Sequence, residues 1–209
     1  MFTLYGHRGW GSVLIEAQFA WYGTPFEFVD VGNLFKQPEA RGRLVDVNPL
    51  AQVPTLVLPD GSIMTESAAI TLFLADSAPA GRALVPSPGD PARPAFLRWL
   101  VFLVANVYPT FTYIDVPDRF VADPTGVKEL TERVSAYRDT LWRQVETAVG
   151  APWFLGARFS ALDIYLEVMT RWTPKRGWFE ANTPKIHAAA AAVDRVPELV
   201  PVWERNYRG

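Results

Sequence analysis

The sequence predicts an α+β N-terminal domain followed by an all-helical C-terminal domain. Residues 1–78 alternate short β-type runs with helical segments, whereas residues 91–209 show helical periodicity and no convincing strand. Between these parts, residues 79–90 contain three prolines and two glycines, a density that neither a helix nor a central strand tolerates. We therefore place the N-terminal domain at 1–78, a proline-rich linker at 79–90 and the helical domain at 91–209.

The first elements of the chain form a β-α-β unit. Residues 2–5 and 26–31 are short runs rich in aromatic and β-branched residues, which is typical of strands. The helix between them is expected to begin with Ser12 as its N-terminal cap and to end at Gly23. Because a helical crossover joins the two strands, they should be parallel.

The remaining elements of the N-terminal domain complete a mixed four-stranded sheet. Residues 55–58 and 62–64 are β-type runs joined by Pro-Asp-Gly. An Asp-Gly turn between such runs is typical of an antiparallel hairpin. A helix is predicted from about residue 66 to residue 75, and another before the hairpin, which gives the order β-α-β-α-β-β-α.

The C-terminal domain is predicted to contain helices alone. They cover residues 95–121, 126–149, 161–172, 183–193 and 198–207. Pro109 and Pro117 should kink or end the first helix, because each proline removes a helical N–H donor. Ser160 and Asp163 form a capping-box pattern at the start of the third, to which we assign a structural role.

The composition narrows the classes of function. A net charge of -2 gives no electrostatic reason to expect nucleic acid or an anionic membrane as a partner. No run reaches the roughly 18 consecutive apolar residues of a membrane span, and we expect a cytoplasmic protein. Cysteine is absent and only two histidines are present, which excludes disulfides and leaves no metal site to expect. Any thiol chemistry must use a thiol that a ligand brings.

Two motifs carry the residues for chemistry. Residues 48–56 read Asn-Pro-Leu-Ala-Gln-Val-Pro-Thr-Leu, and the Val53–Pro54 bond is predicted cis, since proline lowers the energetic cost of that geometry. The alternative is an ordinary proline at a strand start. Further on, Glu66 and Ser67 open a helix, where free N–H groups and the helix dipole favour a carboxylate. The alternative there is a plain helix cap.

Together these motifs resemble the Asn-Pro-x-x-x-Val-Pro-x-Leu and Glu-Ser pattern of cytosolic glutathione transferases. The resemblance covers essentially the whole chain, which is similar to bacterial, serine-type members without an assigned class. It implies a thioredoxin-like N-terminal domain, with glutathione as co-substrate and no metal. It also implies a hydrophobic electrophile as second substrate, a homodimer and a role in detoxification.

The resemblance further implies a glutathione-binding site. The Val53 backbone, turned outward by the cis bond to Pro54, would pair with the cysteinyl part of glutathione. Glu66 suits the ammonium of the γ-glutamyl end, and Ser67 suits its carboxylate. Gln52, beside the cis bond, is a weaker candidate for the glycyl end.

In this family the turn after the first strand holds the thiolate of glutathione, through a tyrosine on that strand or a serine or cysteine at the start of the first helix. Gly11 stands where the cysteine-type enzymes have cysteine. Ser12 is therefore the first catalytic candidate and Tyr5 the second. Alternatively, Ser12 only caps the helix and backbone N–H groups hold the thiolate. The glycine spacing of the turn does not fit a dinucleotide fingerprint.

An aromatic group is predicted to line a hydrophobic pocket that faces the thiol. Its aromatic residues are Trp10, Tyr108 and Phe111, and Thr112 is assigned to the same pocket. The alternative is that they belong to the core, as aromatic residues at helical spacing more often do.

The sequence thus predicts an enzyme that activates the glutathione thiol as thiolate for attack on a hydrophobic electrophile. One alternative is a non-catalytic glutathione-binding or regulatory protein of the same fold. Another is a glutathione-dependent isomerase or dehalogenase, which would use the same thiolate.

Overall fold

The computed structural model describes residues 1–207, the side chain of Pro38 excepted. The N-terminal domain contains four strands: β1 (Phe2–Gly6), β2 (Phe26–Asp30), β3 (Thr55–Val57) and β4 (Ile63–Met64). They lie in the order β2-β1-β3-β4, with β1 parallel to β2 and antiparallel to β3, and with β3 antiparallel to β4. The predicted mixed sheet is confirmed.

Three helices accompany the sheet: α1 (Val13–Tyr22), α2 (Pro38–Val45) and α3 (Ser67–Ala75). Buried side chains of α1 and α3 belong to one large apolar cluster that continues into the C-terminal domain. Ala40 and Leu44 of α2 instead join a smaller cluster, together with Leu34, Ala51 and the partly buried Tyr5. α1 and α3 therefore pack in the large apolar cluster, whereas α2 packs in the smaller one.

The end of α1 depends on a left-handed glycine. Gly23 has a φ of 67°, its N–H donates to Ala20, and the next N–H, of Thr24, donates to Phe19. This is the hydrogen-bond pattern of a Schellman-type C-cap, in which a side chain on the left-handed residue is unfavourable.

We expect Gly23→Ala to lower the free energy of unfolding by about 1 kcal/mol, because alanine is strained at this φ. Denaturant unfolding measures the change. Gly42→Ala is the matched control: Gly42 lies inside α2, its φ is not left-handed and a Cβ there meets open space. Since alanine favours a helix interior, the control should gain roughly 0.5 kcal/mol. Equal losses in both variants would contradict this account of the cap.

The C-terminal domain is built from seven helices of the described chain. They are α4 (Arg93–Phe102), α5 (Tyr108–Asp115), α6 (Val127–Glu146), α7 (Ala161–Thr170), α8 (Arg176–Asn182), α9 (Pro184–Val193) and α10 (Val200–Tyr207). Every residue of α7 is buried, so this helix forms the centre of the domain. The five predicted helices are present, and α8 was missed. Two isolated β-bridges, Trp153 to Gly156 and Leu155 to Arg158, are the only β pairing between residues 91 and 207.

The first predicted helix differs from its expected course. A π-helical turn, Leu103–Val107, joins α4 to α5, immediately before Pro109, whose missing N–H disturbs the regular α pattern. The helix then ends at Asp115 instead of residue 121. Val116, at φ -135° and ψ 60°, lies outside the helical region, which is disfavoured for the residue before a proline. Pro109 was expected to kink the helix, and the π turn is how the helix accommodates it.

Among the described residues, one helix, Arg93–Asp115, is long and apolar enough to cross a membrane by length and composition. The expectation that no such segment exists counted only uninterrupted apolar runs. One face of this helix packs in the core through Phe96, Leu100 and Leu103, and core helices of globular proteins meet the same criterion.

The proline-rich segment 79–90 contains neither helix nor strand. It is nevertheless packed against both parts of the chain. Arg82 bonds to the backbone of Trp21 in α1 and pairs with Glu198, and Leu84 is buried and accepts the Ala161 N–H. The assignment of domain boundaries to this segment stays a prediction.

Candidate functional site

A cavity of about 660 Å³ opens between the N-terminal domain and α5. It is lined by the β1–α1 turn, the loop before β3, the start of α3 and residues after α7. All nine residues predicted for the binding site and the hydrophobic pocket line it: Trp10, Gln52, Val53, Pro54, Glu66, Ser67, Tyr108, Phe111 and Thr112. The structure therefore brings the two predicted sets together.

The loop before β3 has the predicted backbone geometry. The Val53–Pro54 bond is cis. The buried Asn48 holds the loop, donating to the Gln52 carbonyl at 3.1 Å and to Thr55 Oγ1 at 3.0 Å. Its own side-chain oxygen accepts the Leu50 N–H. One buried amide thus fixes the approach to the cis bond.

Backbone strain concentrates at this cavity. Within residues 1–207, the non-glycine residues with positive φ are Ala51 (47°), Glu66 (64°) and Lys175 (73°), and all three line the cavity. Such conformations cost energy and persist where the surrounding structure holds them, which is common at binding sites.

The start of α3 presents Glu66 and Ser67 to the cavity. Glu66 precedes the helix and makes no side-chain capping bond, so a plain helix cap does not account for its carboxylate. Ser67 is the first helical residue, and its hydroxyl contacts the Tyr165 phenol. The free N–H groups and positive dipole end of α3 favour an anion beside Ser67.

Ser12 does not line the cavity. Its side chain is fully buried in the β1–α1 turn, where the hydroxyl donates to the His7 carbonyl at 3.2 Å and accepts the His7 N–H at 3.1 Å. It makes no bond to the first turn of α1, so the predicted side-chain cap is wrong. The hydroxyl's hydrogen-bonding capacity is used inside the turn instead.

Tyr5 does not line the cavity either. It lies on β1, paired with Val29 and Thr55, and its side chain packs against the smaller apolar cluster with Leu34 and Ala51. Neither predicted catalytic hydroxyl is therefore placed at the cavity surface.

The Tyr108 hydroxyl occupies the space beside Gly11. A Cβ built on Gly11 would overlap that hydroxyl and would lie 3.2 Å from the Val53 carbonyl oxygen. The Tyr108 ring meets Phe111 and Trp172 edge to face, with centroids 6.3 and 5.4 Å apart. The side chain of Tyr108 on α5 therefore lies against Gly11, just before α1.

Comparisons with known proteins identify the family. Residues 17–77 match the profile of the glutathione S-transferase N-terminal domain. Over 207 residues the chain is 40% identical to YncG, an uncharacterized GST-like protein of Escherichia coli (strain K12), with 99% of this chain and 98% of that protein covered. The chain belongs to the cytosolic glutathione S-transferase superfamily.

Two further relatives support this placement. Glutathione S-transferase GstA of Escherichia coli O157:H7 is 31% identical over 185 residues, covering 87% of this chain and 86% of that protein. The crystal structure of a glutathione transferase homologue from Sulfitobacter, with bound glutathione, has a TM-score of 0.86 and 26% identity, covering 98% of this chain and 97% of that one. The thioredoxin-like N-terminal domain is confirmed.

Several cavity residues of this glutathione S-transferase family member were not predicted from sequence. Arg41, Arg119 and Lys175 line the cavity and form no ion pair with another described residue. Arg41 lies on α2, and Arg119 and Lys175 lie in the segments after α5 and α7, whose courses the sequence does not reveal. Within residues 1–207, no group of three or more metal-ligating side chains is arranged to hold a metal ion.

Proposed function

We propose that this protein is a glutathione transferase, which activates the glutathione thiol as thiolate for attack on a hydrophobic electrophile. One observation carries the proposal: a polar edge and an aromatic wall meet in a single cavity. Glu66, Ser67 and the Val53 backbone form the edge, while Tyr108 and Phe111 belong to the wall. A peptide thiol and an apolar second substrate would meet between them.

The polar edge suits the charges of glutathione. Its γ-glutamyl end carries an ammonium, which Glu66 would bind, and a carboxylate, which would lie at the N-terminus of α3 beside Ser67. The glycyl carboxylate would lie towards Gln52, and Arg41, which forms no ion pair with another described residue, lines the same cavity. The bound glutathione of the Sulfitobacter homologue supports this choice of ligand.

Thiolate formation needs a modest change in pKa. A free thiol has a pKa of about 8.5, so only a few per cent is ionised at neutral pH. One charge-assisted hydrogen bond together with the start of α1 would lower it by about two units. Ser12, Tyr5 and backbone N–H groups were the predicted donors. The buried position of Ser12 favours the backbone groups over its side chain.

The placement of Ser12 and Tyr5 also favours one alternative, a non-catalytic glutathione-binding or regulatory protein. A third reading, a glutathione-dependent isomerase or dehalogenase, would use the same thiolate. Stoichiometry separates these functions, because an isomerase leaves glutathione unconsumed and a binding protein leaves the electrophile unchanged.

The test is a conjugation assay with glutathione and a panel of aryl halide, epoxide and enone electrophiles. We expect calorimetric binding of glutathione, a thiolate absorbance that titrates below about pH 8.5, and conjugate formation above the uncatalysed rate. Binding without turnover of any electrophile would favour the regulatory alternative. No glutathione binding would refute the proposal.

Assembly and location are also proposals. Family resemblance supports a homodimer, and exposed apolar side chains such as Phe73 on α3 and Val101 on α4 are compatible with a protein interface. A cytoplasmic location, a role in detoxification and the lack of nucleic-acid or membrane partners rest on the same resemblance and on the near-neutral net charge.

A further inference from the structure

If the proposed function holds, some group must face the glutathione sulfur, and the expected side chains do not. The Ser12 hydroxyl bonds to the His7 backbone, and Tyr5 lies in the cluster beneath α2. Position 11, where a cysteine would stand, carries no side chain. Positions 5, 11 and 12, where the family carries its thiolate donor, therefore offer no side-chain donor to the cavity.

Position 11 is glycine for reasons of space. Its φ lies outside the left-handed region, so the backbone would accept an L-residue. A Cβ there would overlap the Tyr108 hydroxyl, however, and would lie 3.3 Å from Tyr108 Cζ. The phenol of α5 fills the place that a side chain at the start of α1 would take.

The same place adjoins the predicted path of glutathione. The built Cβ lies 3.2 Å from the Val53 carbonyl oxygen. In the proposed complex the Val53 backbone pairs with the cysteinyl residue, whose sulfur is two bonds from its Cα. The sulfur is thereby held close to the Tyr108 hydroxyl.

Tyr108 is prepared to donate a hydrogen bond. Trp172, which packs on its ring, is itself anchored by a bond from Nε1 to the Gly9 carbonyl at 2.8 Å. No hydrogen bond from another described residue engages the Tyr108 hydroxyl, and burial raises the pKa of the phenol above its ordinary value. The hydroxyl keeps its proton, and an anion that reaches it meets a free donor.

We propose that the Tyr108 hydroxyl donates a hydrogen bond to the thiolate of bound glutathione. It would replace the tyrosine, serine or cysteine that other members carry on the first strand or at the first helix. The stabilising donor of this chain would then come from the C-terminal domain, across the cavity from its usual place.

Tyr108→Phe tests the proposal in the full chain, with glutathione as the probe and thiolate ultraviolet absorbance against pH as the readout. We expect the pKa of the bound thiol to rise by about one to two units, the effect of losing one charge-assisted bond. At a pH below the pKa of the bound thiol, where both proteins bind the protonated ligand, glutathione affinity should change less than about threefold, because the charged ends of the ligand are held elsewhere. Tyr137→Phe, at an exposed tyrosine of the same domain that does not line the cavity, is the matched control and should leave the thiol pKa unchanged, as should Ser12→Ala and Tyr5→Phe.

A second pair of variants tests the geometry without glutathione. Gly11→Ala should lower the thermal midpoint, because the new methyl group meets the Tyr108 hydroxyl. The same substitution in Tyr108→Phe protein should cost less, since the overlapping hydroxyl is gone and the remaining neighbours, the Val53 carbonyl oxygen and Cζ of residue 108, lie 3.2 and 3.3 Å away. Equal losses in both backgrounds would overturn the contact on which the proposal stands.

The outcomes separate the two proposals. If the parent protein binds no glutathione thiolate, both are overturned. If the parent lowers the thiol pKa and Tyr108→Phe does not change it, the inference alone is overturned. A slower conjugation with an unchanged thiol pKa would likewise overturn it, since Tyr108 would then act on the electrophile.

Discussion

Replacing Glu66 and Ser67 together by alanine is expected to weaken glutathione binding by at least about 100-fold. Two charged groups at one end of the ligand lose their partners, and hydrogen bonds to charged groups contribute about 1.5–3 kcal/mol each. Glu66 is held at a φ of 64° and makes no capping bond that would otherwise explain its position. Titration calorimetry with glutathione at fixed pH measures the change.

The chain offers a matched control for this double variant. Asp60 and Ser62 are also an acid and a serine of the N-terminal domain, exposed at the β3–β4 turn, where they bond to each other. Asp60→Ala with Ser62→Ala should leave glutathione affinity unchanged. Because Ser67 also contacts Tyr165, the thermal midpoint of each variant must be measured. If folded Glu66→Ala, Ser67→Ala protein binds like the parent, the site assignment is wrong.

The polar edge of the site could be predicted because its information is local in sequence. The cis bond at Pro54 requires only a proline at the start of a strand, and Glu66 and Ser67 require only a helix that begins there. The fold fixes where a hairpin and the following helix lie, so these residues had to meet in one cavity. Their local backbone chemistry needed no knowledge of distant contacts.

The part of the site that would face the glutathione sulfur could not be predicted in the same way. The Ser12 hydroxyl had two sets of partners within reach, the first turn of α1 and the His7 backbone, and it bonds to the second. The approach of Tyr108 to Gly11 joins residues almost a hundred positions apart and depends on how the two domains pack.

α8 was not predicted from the sequence because it has only seven residues and follows a cis proline and Lys175, which has a positive φ.

The start of the central helix α7 depends on one buried carboxylate. Asp163 accepts the Phe154 N–H at 2.6 Å, the Ser160 N–H at 2.8 Å and the Ser160 hydroxyl at 3.0 Å, and it is fully buried. The predicted capping box is confirmed, with an additional bond to the preceding loop that the motif did not reveal. The carboxylate therefore ties α7 to its cap residue and to the loop that precedes the cap.

Asp163→Ala is expected to lower the free energy of unfolding by about 3–5 kcal/mol at pH 5. Two buried backbone N–H groups lose their acceptor, and each unsatisfied group costs about 1–3 kcal/mol. Asp123→Ala is the matched control, because Asp123 also accepts a backbone N–H, from Thr125, but is exposed. It should cost less than about 1 kcal/mol. Denaturant unfolding followed by circular dichroism gives both values.

The loss in Asp163→Ala should also depend on pH. Burial raises the pKa of Asp163 to about 6 from its ordinary 3.8, an effect that the three hydrogen bonds only partly offset. The folded protein then holds this proton more tightly than the unfolded chain. The stabilisation that comes from this raised pKa is fully present below the ordinary pKa of 3.8 and is lost as the pH rises to about 6. The difference between parent and Asp163→Ala should thus shrink by about 1 kcal/mol from pH 5 to pH 7.5. A difference that grows over this range would mean that the three hydrogen-bond donors, and not burial, determine the pKa of the Asp163 carboxyl group.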